Sequence, residues 1–528
     1  CKRNQTYLNI SKKLKFIFKI FFVYHIIKII MESERSIPAS IDYTDVLPVA
    51  VPAIARRKRF YPQNGTTFNP VGTSEIRIEI GSTNSLLDAQ HSYLEFEVSN
   101  VSGANLGFDI GGANILFEEV RLEQSGRVLA RQQQHNRLHA GIISPTQVST
   151  SGANTDAMVA GGKALFGNAG GNAGMLTPFV AGDGDIYGSA LHNQNNQFPN
   201  GFTMRMTMAM PTGLFTQDKL IPLPLVAQNA PLTLVLRLGA AADLGVWSGV
   251  IAPNAIQVIR ANYIAQLIEV GGDVIEQIKQ MRDMSGGQLT ISGQDIEHNQ
   301  GVVPLASTGD QIVRVPMRKR SVKSLLFQIN SEDFTNGAAG QSAANTYNLS
   351  YGGNMNMESF QLKVGSVVYP PTPVQCWGDC LRAATPARGL PVGERGECVM
   401  ELAKALGSLG FTNPTGRLNT IMYGSNTLAA QVAGASPLSD GDNGDGVNSL
   451  APQSNTQLCV TPFGLDLESF QHTAIESGID TETMALETNL IMTVAGVGAG
   501  LENKNVHTYI IYDQHYFFNR DGSVTMSN

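Results

Sequence analysis

The feature that most constrains this chain is a period-two alternation of apolar and polar residues, in short runs repeated along most of its length. Glu75-Ile76-Arg77-Ile78-Glu79-Ile80 alternates without a break, and Ser92-Tyr93-Leu94-Glu95-Phe96-Glu97-Val98 and Phe202-Thr203-Met204-Arg205-Met206-Thr207-Met208 repeat the pattern. In an extended chain successive side chains point to opposite faces, so each run has one apolar face to bury. Further strands are expected at Ile115 to Glu123, Pro231 to Leu238, Ile256 to Ile268, Gln311 to Pro316, Val322 to Ile329, Ser359 to Tyr369, Thr483 to Val497 and Val506 to Phe518. Helical patterns are few: a short one at Val274 to Met281 and a better one at Glu397 to Leu409. Many short strands with turn residues between them and few helices imply a sandwich or barrel.

The pattern occurs twice. Val120-Arg121-Leu122-Glu123, a turn at Ser125-Gly126, then Arg127-Val128 is echoed by Phe360-Gln361-Leu362-Lys363, a turn at Gly365-Ser366, then Val367. A later strand echoes as well, Asn262-Tyr263-Ile264-Ala265 against Thr508-Tyr509-Ile510-Ile511. A single core stops growing at roughly 250–300 residues, so 528 residues imply two domains. The two echoes make them one all-β unit used twice. Gly-, Asn- and Asp-rich stretches at 143–200 and 412–456 read as long loops inserted between strands. The expected divisions are 31–65 as an N-terminal arm, 66–300 as the first domain and 301–528 as the second.

Charged residues are 15% of the chain, against about 25% in soluble globular proteins. Asn, Gln, Ser, Thr and Gly take their place, giving a surface that can be covered by neighbours without stranding charges. The net charge of -7 speaks against binding nucleic acid over the whole surface. Residues 1–30 have no Gly, Ala, Pro, Asp or Glu, and the composition changes at Met31. They read as an upstream in-frame stretch with Met31 as the start. The competing reading is a signal or membrane anchor, but Lys19, His25 and Lys28 interrupt the apolar run.

Sites for chemistry are sparse. His135 and His139 are four apart in a plausible helix, as in zinc proteases, but Asn136 stands where the catalytic Glu is needed. A metal site there competes with a polar helix face, and the polar face is preferred. Asp440-Gly441-Asp442-Asn443-Gly444-Asp445 suggests a calcium loop, yet Ala451 occupies the position of the bidentate Glu. An exposed acidic loop is the plainer reading. Five cysteines, Cys1, Cys376, Cys380, Cys398 and Cys459, form no zinc pattern and read as buried thiols. Phosphate-binding loops and nucleophile elbows are absent from the sequence. No catalytic residue, metal or cofactor is therefore expected.

Certain segments, taken in order, carry a resemblance. They are Ser74 to Val98; Leu214-Phe215 leading to Lys219-Leu220-Ile221-Pro222-Leu223-Pro224; and Ser321-Val322-Lys323-Ser324-Leu325-Leu326. Gln361-Leu362-Lys363-Val364-Gly365 running into Tyr369-Pro370-Pro371-Thr372-Pro373 follows, then Phe463-Gly464, Ser477-Gly478-Ile479-Asp480 and Tyr512-Asp513. Over roughly residues 60–528 the chain resembles the double jelly-roll major capsid proteins of polinton-like viruses and virophages, and more distantly those of other large eukaryotic DNA viruses. The resemblance implies two tandem jelly-roll domains with long inserted loops and a few short helices. It further implies a structural, non-enzymatic subunit that forms homotrimers with a pseudo-hexagonal outline. Its implied partners are neighbouring capsomers and penton or minor capsid proteins, in a virion assembled inside the host cell.

The one dense basic run, Arg56-Arg57-Lys58-Arg59, lies in the expected arm. It is the candidate interior-facing contact to packaged DNA, an inner membrane or a minor capsid protein, with nuclear import another use and a solvated linker the plain alternative. Arg318-Lys319-Arg320 is expected in a surface turn. The competing function is a secreted or surface β-sandwich that binds glycans or mediates adhesion. For it speak the sequons Asn64-Gly65-Thr66 and Asn348-Leu349-Ser350. A sandwich hydrolase would need a pair of carboxylates in a cleft.

Overall fold

A computed structural model describes most of residues 53–527; residues 1–52, 147–199, 377–395 and 408–461, most of 332–356 and several shorter runs lie outside the described residues. Both expected loop insertions and the acidic run at 440–445 fall almost wholly outside them.

The first half contributes β1 (Ala53–Phe60), β2 (Thr67–Phe68), β3 (Glu75–Ile80), β4 (Ser85–Asn100), β5 (Leu106–Phe108) and β6 (Phe117–Gln124). It continues with β7 (Arg127–Gln133), β8 (Thr203–Ala209), β9 (Leu232–Leu238), β10 (Gly245–Trp247) and β11 (Ile256–Val270). The second half contributes β12 (Gln288–Val303), β13 (Gly309–Arg314), β14 (Val322–Ser331), β15 (Met357–Val364) and β16 (Val367–Gln375). Its last strands are β17 (Phe463–Asp466), β18 (Thr488–Val494), β19 (Lys504–Asn519) and β20 (Val524–Ser527). Helix α1 (His135–Leu138) runs on through a π-helical turn, His139–Ile143, into Ser144–Thr146. Helices α2 (Leu223–Val226), α3 (Gly272–Met284) and α4 (Gly396–Gly407), with a 3-10 turn at Gly112–Leu116, complete the described elements.

Among the described residues each half forms two large antiparallel sheets. The first has the orders β1-β11-β4-β8 and β3-β9-β6-β7; the second has β12-β19-β14-β17 and β13-β18-β15-β16. Strands β2 and β20 add to the flanks of β11 and β19, and β5 pairs with β10. Leaving these aside, eight described strands remain in each half. Numbered by rank along the chain, both halves read 1-8-3-6 and 2-7-4-5. The segments that echo in sequence hold equal ranks: the hairpins β6-β7 and β15-β16 are ranks four and five, and β11 and β19 are rank eight. A helix follows rank five in both halves, α1 in one and α4 in the other. The two long loop insertions also fall between ranks five and six in both.

The alternating runs bury the faces their spacing assigns. Ile76, Ile78 and Ile80 are fully buried, as are Leu94, Phe96 and Val98 on β4, and Met204, Met206 and Met208 face the same core from β8. Burying a side chain of this size contributes roughly 1.5–3 kcal/mol, so the alternation alone fixes which way each sheet faces. In the second half Leu325, Phe327, Phe360, Leu362, Leu490 and Met492 play the same part. Phe327 packs edge-on to Phe360 at 5.1 Å and stacks with Phe463 at 4.9 Å.

Two sequence expectations change here. Strand β12 pairs with β19 along its full length, from Gln288 opposite Asn519 to Val303 opposite Lys504. The sheets therefore divide at α3, not at residue 300. The polar sequence of β12 hid this, because an edge strand with a half-exposed face lacks a strong apolar alternation. The second change concerns 53–60, expected as an arm and found as β1. It pairs with β11 from Ala53 opposite Val270 to Phe60 opposite Tyr263.

Candidate functional surfaces

The basic run occupies an edge strand. Seven of the eight residues of β1 are exposed, so Arg56, Arg57, Lys58 and Arg59 present their charges to solvent while the backbone joins the sheet. Alternation sends Arg57 and Arg59 to one face and Arg56 and Lys58 to the other. Arg57 lies 5.5 Å from the centre of the Tyr93 ring and donates to its hydroxyl, and Arg59 reaches Glu95 at 3.8 Å. On the opposite face Arg56 pairs with Glu269 at 2.9 Å and Lys58 sits 4.7 Å from the Phe60 ring centre.

The structure adds two cations to the Arg57–Arg59 face. Arg205 on β8 bonds Glu97 at 2.9 Å, and Arg260 on β11 lies 3.7 Å from the same carboxylate. Arg260 stands at a bulge where the β11–β4 register shifts, with a φ of 53°, which aims its side chain outward. Arg205 was legible in principle, as a polar position in an alternating run. Arg260 was not, because only the bulge brings it to this face. The face thus carries Arg57, Arg59, Arg205 and Arg260 against Glu95 and Glu97, a net positive patch whose exposed ion pairs contribute little stability.

The junction between the two halves is polar and buried. His135 is fully buried, so the expected polar helix face is a buried one. Its Nδ1 lies 3.1 Å from Gln132 Oε1 and its Nε2 lies 3.3 Å from Asn114 Oδ1, while the His139 ring centre is 4.3 Å away. On the second-half side of the junction, His298 Nε2 on β12 lies 3.1 Å from His507 Nδ1 on β19. Desolvation holds all four below the ordinary histidine value, His139 and His298 near 4. The neighbouring His139 lowers His135 further, and the Arg137 guanidinium lowers both His298 and His507. Burial pushes the Asp295 carboxyl up to about 7, against stabilisation by the Ile296 N–H. Among the described residues no group of three or more His, Cys, Asp or Glu is placed to hold a metal.

Core side chains are exchanged across this junction. Leu138, Ile142 and Ile143 from the α1 segment belong to the core of the second half. Ile291, Tyr516, Phe518 and Val524 belong to the core of the first. Bonds follow the same path: Gln124 Nε2 donates to Gly522 O at 2.8 Å, Val524 N to Gln124 Oε1 at 2.6 Å, and Gln514 Nε2 to Leu129 O at 3.2 Å.

Cys376 and Cys398 are buried free thiols, and burial raises the Cys376 thiol, with Cys398 adding to the effect. Cys1, Cys380 and Cys459 lie outside the described residues. Arg318 and Arg320 are exposed as expected, whereas Lys319 pairs with Glu297 at 3.0 Å and lies over the Tyr512 ring at 4.1 Å. The Asn64 amide donates to Glu75 O at 2.6 Å and its carbonyl accepts from Arg77 N at 3.0 Å, so this sequon is tied to β3. Asn348 lies outside the described residues.

No family model matches the sequence, and no curated protein matches it either. Solved structures do. VP54 of PBCV-1, fitted into a reconstruction of the virophage Sputnik, aligns over 92% of this chain and 99% of its own, at 11% identity and a TM-score of 0.51. The Faustovirus major capsid protein aligns over 91% of this chain and 93% of its own, at 9% identity and a TM-score of 0.52. The chain has the double jelly-roll fold. The Sputnik virophage structure determined by cryo-EM aligns similarly, over 93% of this double jelly roll and 92% of the other chain, at 9% identity and a TM-score of 0.51. The alignments span both jelly rolls, so the likeness is to the tandem and not to one sandwich.

Proposed function

We propose that this chain is a major capsid protein, a structural subunit of a virion shell assembled inside the host cell. The observation that carries the reading is the repeated strand order, 1-8-3-6 and 2-7-4-5, in two jelly rolls with a shared junction. A subunit with two similar barrels approximates two corners of a hexagon. Three copies around an axis then give a capsomer of pseudo-hexagonal outline, and closed symmetry fixes which surfaces meet. Few charges need be desolvated when such surfaces pack, which suits a chain with 15% charged residues. Neighbouring capsomers and penton or minor capsid proteins are the partners of this reading, and it assigns the chain no turnover.

The basic strand β1 and the positive patch beside it suit a polyanion, and packaged DNA or the headgroups of an inner membrane fit that charge. On this reading the face bearing Arg57 and Arg59 is turned to the particle interior. Native mass and negative-stain imaging of the purified full chain test the proposal. Trimers of pseudo-hexagonal outline are expected; a well-folded monomer that stays monomeric at high concentration would overturn it.

A further inference from the structure

Lys323 on β14, Asp513 on β19 and Glu468 just beyond β17 come from three distant parts of the sequence and meet inside the second jelly roll. Lys323 Nζ lies 3.3 Å from Asp513 Oδ1 and 3.2 Å from Glu468 Oε1. The three side chains are 10%, 4% and 4% exposed respectively. One ammonium thus faces two carboxylates in a site nearly closed to water, an arrangement whose desolvation is costly.

The surroundings hold the reacting groups still. Lys323 stands at the bulge where the β14–β19 register shifts, between Val322 and Ser324. Ser321 Oγ donates to Asp513 Oδ2 at 2.7 Å, and Asp513 N donates to Ser321 O at 3.0 Å. Leu467 N donates to Lys323 O at 2.8 Å, and Ser477 Oγ donates to Glu468 Oε1 at 3.0 Å. The loop carrying Ser477 is clamped beside them, since a Cβ on Gly478 would lie 2.2 Å from Val322 O.

We propose that Lys323 and Asp513 condense into an intramolecular isopeptide bond, with Glu468 relaying the protons. Glu468 accepts a proton from the ammonium, and the free amine attacks Asp513 Cγ. The Ser321 hydroxyl, already on Oδ2, stabilises the oxyanion of the tetrahedral intermediate. Glu468 then delivers protons from nitrogen to the departing oxygen. The Nζ–Cγ bond forms, one Cγ–O bond breaks, and both protons leave with that oxygen as water. Nothing is oxidised or reduced, and no co-reactant is needed. Proximity supplies the driving geometry: Nζ is held 3.3 Å from Oδ1, one bond away from the Cγ it attacks, and groups fixed beside each other react as if at very high concentration. The product removes one positive and one negative charge from a buried site and ties two neighbouring strands covalently.

The test is the intact mass of the purified, folded full chain, followed by peptide mapping. The expected mass is one water below the sequence mass, with a branched peptide joining the segments that contain Lys323 and Asp513. Glu468→Gln and Lys323→Arg, each verified as folded by circular dichroism, should carry the full sequence mass. A folded wild-type chain at full sequence mass, or a water lost elsewhere, would overturn the proposal and leave a buried ion triad. Cross-linking that persists in Glu468→Gln would overturn the role of Glu468.

Discussion

Gly213 and Gly293 meet back to back where the first jelly roll touches β12. A Cβ on Gly213 would lie 2.4 Å from Gln294 O, and one on Gly293 would lie 2.3 Å from Gly213 O. Both obstacles are backbone, so neither can rotate away. Gly293→Ala is expected to destabilise the fold by about 1–3 kcal/mol, the usual range for overpacking. Gly272→Ala, at the first position of α3, meets nothing within 4 Å and serves as the neutral control. Thermal melts of the two variants decide the matter, and equal melting temperatures would refute the close-approach argument. Neither glycine could be singled out among the 54 of this sequence. A glycine kept for a contact between distant segments looks like a glycine kept for a turn. Gly126 was legible, because it sits in a short hairpin turn with a φ of 77°.

Among the elements, legibility follows position in the sheet. The inner strands β4, β11, β14 and β19 are flanked on both sides, bury at least one face and show it in their residues. Edge strands β1 and β12 bury little, and one was read as an arm while the other was assigned to the wrong half. The Arg and Lys residues of β1 also blunt its free edge against pairing with other chains. Their proposed second role is measurable. Replacing Arg56, Arg57, Lys58 and Arg59 with Gln keeps the backbone pairing and removes four cations. Affinity for duplex DNA should fall, with the salt dependence of log K shallower by about 0.9 per cation that had contacted phosphate. The same variant should lose affinity for anionic vesicles if headgroups are the target. Binding unchanged in both assays would make β1 a solvated edge and nothing more.

At the scale of the whole molecule, the doubling of one all-β unit was legible through its echo, the jelly-roll topology came only through the family resemblance, and the junction was not legible. His135 and His139 have a spacing that suits a metal or a solvated helix, and nothing in the sequence says that a second domain will pack against the helix that carries them. Their burial sets a pH dependence. The junction histidines have folded-state values below 6.5, His139 and His298 near 4. As pH falls from 6.5 towards 4 the unfolded chain binds protons that the folded chain refuses, so stability is lost. Asp295 acts in the opposite sense: its carboxyl rises from 3.8 to about 7, so the contribution it makes at low pH disappears as pH rises through 7. Four groups outweigh one, and the melting temperature should drop between pH 6.5 and 4. His298→Gln should flatten that slope while leaving the fold intact at neutral pH. A melting temperature insensitive to acid over this range would count against the burial of the cluster.

The traded core residues have a mechanical meaning. Leu138, Ile142 and Ile143 complete one barrel, and Ile291, Tyr516, Phe518 and Val524 complete the other. Neither barrel can tilt without pulling its own plugs out of its twin. The pair therefore deforms as one stiff plate, and strain applied to either side is shared by both. In a container tiled from such plates, internal pressure would be relieved along the seams between chains, while the line down the middle of each tile stayed shut.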